Sequence, residues 1–140
     1  MKEYLLEDKG IYYRKNEFEL NKKTVVFIHG VSGSSSAWAP YEEKFQNDYN
    51  ILSFDLRGHG KSKKFNKHND YKIKHFAEDL NFLVQYLKIE KFIIVSHSFG
   101  AFVALEFLKN YGQAVTSSVF LSPSYNMKGR FLSSFLEVIL

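Results

Sequence analysis

Cysteine is absent from all 140 residues, which excludes disulfides, thiolate metal sites and a thiol nucleophile together. Stability must therefore come from packing. Long apolar runs are lacking too. No stretch approaches the roughly 18 residues of a membrane span, and acids interrupt the first ten residues where a signal peptide needs an apolar segment. The expectation is a cytoplasmic chain with no membrane span. Charge of one sign is also in short supply. The formal net charge is +4, and the local basic cluster of Lys61, Lys63, Lys64 and Lys67 beside His68 lacks the interleaved aromatics of a nucleic-acid platform. It reads as a solvated loop, and no nucleic-acid partner is expected. The five histidines are not at the close spacings of metal ligands on one element, so no metal and no cofactor are expected.

What is present is enough apolar residue, 45% of the chain, to build a core. Four short apolar runs, at 24–28, 51–54, 92–95 and 118–121, are rich in β-branched and aromatic residues without in/out alternation. That pattern predicts parallel strands covered by helices on both faces. Residues 4–7 and 11–15 flank Asp8-Lys9-Gly10, the turn of an antiparallel hairpin at the sheet edge. Ile73, Phe76, Ala77, Leu80, Leu83, Val84 and Leu87 recur at helical spacing. A further helix is predicted near 38–45, and a deeply buried one, apolar nearly all round, over 99–108, stopped by Gly112. With no repeat or linker, the order is a hairpin followed by βαβαβαβ in one domain.

Three segments carry chemistry. In Phe92-Ile93-Ile94-Val95-Ser96-His97-Ser98-Phe99-Gly100-Ala101 a buried strand runs through a serine turn directly into a buried helix. A hydroxyl on such a turn projects from the carboxyl end of the sheet beside the free N–H groups of a helix start. Ser98 is the candidate nucleophile. Gly100 meets the demand for a small flanking residue, and Ser96 stands where such turns usually carry glycine. His97 should point away from Ser98, because consecutive side chains diverge at a sharp turn. The second segment is Phe27-Ile28-His29-Gly30-Val31-Ser32-Gly33. The backbone N–H groups of Val31 and Phe99 are assigned as the oxyanion hole, and His29 is read as a structural hydrogen-bonder. The third is Asp55-Leu56-Arg57-Gly58-His59-Gly60-Lys61-Ser62, a tight turn in which Asp55 and Arg57 make tying contacts. Asp79 is read as structural.

With these motifs in this order, residues 4–125 resemble the α/β-hydrolase superfamily, in its branch of serine esterases, lipases and related enzymes. The resemblance implies an α/β-hydrolase fold and cleavage of an ester or similar acyl bond in a small molecule through an acyl-serine intermediate. It also implies a triad in the order serine, acid, histidine. Here the chain departs from the pattern. Neither histidine nor aspartate follows Ser98, and the only later acids are Glu106 and Glu137. No triad acid or histidine is therefore assigned. Residues 126–140 read as the start of a cap, cut short, after a core of 1–125 that lacks the last strands. A chain truncated in this way should be nearly inactive alone, and a complementary C-terminal half or self-association could complete it. The rival expectation is a noncatalytic interaction module that recruits a partner through the exposed sheet edge at 118–121.

Overall fold

The computed structural model describes residues 1–122. Among them, six strands form one sheet: β1 (Lys2–Leu6), β2 (Ile11–Lys15), β3 (Thr24–Ile28), β4 (Asn50–Phe54), β5 (Phe92–His97) and β6 (Val115–Leu121). Their spatial order is β1-β2-β4-β3-β5-β6. The hairpin β1–β2 joins antiparallel to β4, whereas β4, β3, β5 and β6 pair parallel to one another. Three helices connect the parallel strands: α1 (Ala39–Phe45), α2 (Ile73–Tyr86) and α3 (Phe99–Tyr111). This is the predicted hairpin followed by βαβαβαβ.

Both faces of the sheet are covered, because successive strand side chains point to opposite faces. Val26, Ile28, Leu52, Phe54 and Ile94 pack with Leu80 and Leu83 of α2 and Val103 and Phe107 of α3. Val25, Phe27 and Ile51 face the other way, against Trp38 and Phe45. Hence β3 and β4 are buried at every position and show no alternation in sequence. On α2 the buried residues are Ile73, Phe76, Ala77, Leu80, Leu83 and Val84, the predicted stripe. Each fully buried Leu contributes about 1.5–3 kcal/mol of transfer free energy.

Helix α3 departs from its predicted form in two respects. It continues to Tyr111, and Gly112 has φ −58°, a right-handed residue that passes the chain into a 3-10 turn rather than a left-handed stop. Nor is the helix buried all round, since Leu105 is half exposed on the outward face beside polar Lys109 and Asn110. Strand β6 begins three residues before the predicted run, and among the described residues it pairs on one side only, with Val119 44% exposed. The assigned cap at 126–140 and the domain boundary before it lie outside the described residues.

Candidate active site

The carboxyl ends of β3, β5 and β6 meet around Ser98, the single residue between β5 and α3. Its backbone has φ 50° and ψ −116°, a region that L residues rarely occupy. Packing on both sides holds it there. The Ser98 N–H donates to the Leu121 carbonyl at 3.0 Å, tying the turn to the end of β6. Two residues on, a Cβ built on Gly100 would lie 2.6 Å from the Ile28 carbonyl oxygen and 2.7 Å from that of His29. Only glycine lets the start of α3 cross the end of β3 so closely. Phe99 packs its ring edge-on against Phe76 of α2, with centroids 5.3 Å apart, so the first turn of α3 is held from a third side. Ser96 is fully buried, and its hydroxyl lies 3.4 Å from the Val119 carbonyl.

The loop after β3 is organised by His29, which is 1% exposed. Its Nε2 accepts from the Leu56 N–H at 3.0 Å, so its Nδ1 carries the proton and donates to the Gly30 carbonyl at 2.7 Å. Burial pushes the ring from its ordinary 6.5 down to about 4, against the opposing effect of the Gly30 hydrogen bond, and nearby His59 adds to the lowering. His29 is thus a neutral, fully engaged imidazole. The Gly30 carbonyl also accepts from the Gly33 N–H at 3.0 Å. A trans peptide points its N–H opposite to its C=O, so two donors on the Gly30 oxygen turn the Val31 N–H the other way. That N–H makes no hydrogen bond among the described residues.

The turn after β4 braces this loop. Asp55, 2% exposed, accepts from the Ser35 N–H at 2.6 Å and the Lys61 N–H at 2.7 Å. A Cβ on Gly60 would fall 2.0 Å from the Asp55 carboxylate, which, with φ +49°, explains the glycine. Arg57 forks onto Asp79 of α2 at 2.8 and 2.7 Å and donates to the Asp70 carbonyl at 2.6 Å. Asp55, Arg57 and Asp79 are therefore tying residues. His59 faces the Arg57 carbonyl with Nδ1, at 2.9 Å, and the Val31 carbonyl with Nε2.

A cavity of about 350 Å³ opens over Ser98, bounded by Gly30, Val31, Trp38, Tyr41 and His97. One wall is aromatic: Trp38 stacks on Phe27 with centroids 4.7 Å apart and meets Tyr41 edge-on at 5.5 Å. His97 lines the same cavity, and a Cβ on Gly30 would lie 3.1 Å from its Nδ1. The aromatic wall escaped the sequence reading, although Trp38 and Tyr41 at a three-residue spacing were visible. So did Glu42, buried on α1, which pairs with Arg14 at 2.8 Å and accepts from the Ser53 hydroxyl. No group of three or more His, Asp or Glu among the described residues could hold a metal ion, and no helix there is long and apolar enough to cross a membrane.

Comparison with known proteins agrees with this geometry. A family model described as alpha/beta hydrolase fold matches residues 23–139. An uncharacterized protein of Mycobacterium bovis is 32% identical over 98 residues, 70% of this chain and 28% of the relative. The probable lysophospholipase BODYGUARD 4 of Arabidopsis thaliana is 30% identical over 106 residues, 74% of this chain and 25% of the relative. Among solved structures, MGS-M2, an alpha/beta hydrolase enzyme from a deep-sea metagenome library, superposes with a TM-score of 0.77 at 27% identity, over 85% of this chain and 43% of that one. Est816, described as an N-acyl homoserine lactone degrading enzyme, gives 0.74 at 26% identity, over 81% and 42%. The chain thus spans about a quarter of these curated relatives and under half of these structures.

Proposed function

The chain belongs to the α/β-hydrolase fold family, and from that premise we propose that Ser98 is the nucleophile of a serine hydrolase that cleaves an ester or similar acyl bond. The observation that carries this reading is the backbone of Ser98 at φ 50°, on a strand-to-helix turn at the mouth of a cavity. The Ser98 Oγ attacks the acyl carbon and its proton passes to a base. The N–H groups of Val31 and Phe99 receive the charge that develops on the carbonyl oxygen, a contribution worth about 3–4 kcal/mol per donor. Collapse expels the alcohol and leaves acyl-Ser98, which water then hydrolyses. The apolar wall of Trp38 and Tyr41 suits an apolar acyl group. The similarity to a protein named as a lysophospholipase and to one that degrades N-acyl homoserine lactones supports an acyl substrate.

A serine hydroxyl is a weak nucleophile without a base. No histidine or aspartate follows Ser98 in the 140 residues, His29 and His59 have both ring nitrogens engaged, and consecutive side chains diverge at the sharp turn that joins His97 to Ser98. The base and its acid then come from a complementary segment, and the 140 residues alone turn over little. The one-sided pairing of β6 among the described residues supports such docking. The same edge favours the second reading, a noncatalytic module, in which partner binding would be unchanged in Ser98→Ala. Incubation with p-nitrophenyl acetate in the presence of imidazole, which stands in for the base, followed by peptide mass mapping, tests the proposal. An acetyl group on Ser98, absent from Ser98→Ala, is the expected result; acetylation spread over surface lysines with Ser98 untouched would overturn it.

A further inference from the structure

His59 is set between two acceptors. Its Nδ1 lies 2.9 Å from the Arg57 carbonyl oxygen and its Nε2 within hydrogen-bond distance of the Val31 carbonyl oxygen. A carbonyl cannot donate, so each contact needs an N–H from the ring. A neutral imidazole has one N–H and an imidazolium two. We propose that His59 is a positioning residue, a proton-dependent clamp that grips the Val31 loop while both ring nitrogens are protonated and relaxes that grip when one proton leaves.

The two jaws are unequal. Arg57 lies two residues away in the same turn, and that turn is rigid: the Gly58 N–H bonds the Lys63 carbonyl at 2.9 Å, Asp55 holds the Lys61 N–H, and Arg57 itself is forked onto Asp79. Val31 sits in a different loop and is 55% exposed. A neutral ring keeps one proton and turns a lone pair toward one of the two oxygens; because the Arg57 side is tied down, the Val31 side is the one that gives way.

The charged and titratable groups around the ring permit this behaviour. From the loop after β3, His29 meets it edge-on with centroids 5.3 Å apart, and His29 is held neutral by burial. From the turn after β4, the Arg57 guanidinium is committed to Asp79, the Lys61 ammonium to Glu3 at 2.9 Å, and the Asp55 carboxylate to backbone N–H groups. His29 and His59 therefore hold successive carbonyls, of Gly30 and Val31, on the two sides of the Val31 N–H. His29 does so permanently and His59 conditionally. The catalytic consequence, a better-ordered Val31 donor at lower pH, rests on the hydrolase reading; the clamp itself does not.

The test is a pH series on the ¹⁵N-labelled 140-residue chain from about pH 5 to about pH 9, spanning the range in which imidazoles titrate. Long-range ¹H–¹⁵N spectra report the protons on the His59 ring, and backbone spectra follow the Val31 and Ser32 amides. Two ring protons at the acid end, one at the basic end, and loop amides that shift with the same midpoint are expected. In His59→Gln, whose side chain donates without titrating, the loop amides should no longer follow that curve. Loop amides that stay still while the ring titrates, or that shift identically in His59→Gln, would overturn the clamp. None of these signals needs turnover, so failure of Ser98 to react would sink the hydrolase reading and leave the clamp standing.

Discussion

His29 holds the Gly30 carbonyl at 2.7 Å through Nδ1 while its Nε2 accepts the Leu56 N–H at 3.0 Å. One buried neutral ring thus connects the loop after β3 to the turn after β4. Protonation adds a hydrogen to the nitrogen that Leu56 already uses and must break that bond. Burial holds the folded-state value at about 4 against an ordinary 6.5, so the unfolded chain takes up the proton first. The stabilisation is complete above about pH 6.5, is lost as pH falls toward about 4, and is gone below that, a total on the order of 3 kcal/mol. Urea unfolding at stepped pH should show this slope in the native sequence. In His29→Ala, already destabilised at neutral pH, that part of the slope should vanish.

Gly100 makes the tightest approach to another backbone in the site. An alanine there would press its methyl to 2.6 and 2.7 Å from two backbone carbonyl oxygens, neither of which is a flexible side-chain end. Gly100→Ala should cost at least about 2 kcal/mol in urea unfolding. The displaced first turn of α3 should also lower reaction at Ser98 with active-site probes.

The strain at Ser98 is separable from its chemistry. With φ 50° and ψ −116°, a residue with a Cβ is destabilised where glycine is not. Ser98→Gly should be more stable than Ser98→Ala by about 1 kcal/mol while both are unreactive. Equal stability of the two variants in thermal unfolding would show that the turn carries no strain.

Arg57 and Asp79 form a forked ion pair whose side chains are 11% and 16% exposed. Removing one partner strands the other in a poorly hydrated place, so Asp79→Asn should cost roughly 2–4 kcal/mol. A double-mutant cycle with Arg57→Met should return a coupling above about 1 kcal/mol.

Much of this fold was legible in the sequence because its signals are local. The stripe on α2, the apolar runs of β3 and β4 and the hairpin turn at Gly10 each follow from periodicity or turn chemistry within a few residues. What escaped depends on distant neighbours. The closeness of Gly30 to His97, 3.1 Å from a Cβ there to Nδ1, joins residues far apart in sequence. The partners of Glu42 come from two other strands. After α2 the chain turns at Lys88 with φ 55°, a left-handed position that no glycine marks in the sequence. The reverse holds at Gly112, where glycine is present and the left-handed turn is not.

The most direct test of the account is fluorophosphonate labelling of the folded 140-residue chain and its Ser98→Ala variant, each with and without added imidazole. The expected result is a single label on Ser98 that depends on imidazole and is absent from the variant, as suits a shaped nucleophile whose base lies elsewhere. Labelling that persists undiminished in Ser98→Ala would contradict the assignment of the nucleophile. Strong labelling of Ser98 without imidazole would instead show that these 140 residues already contain the base.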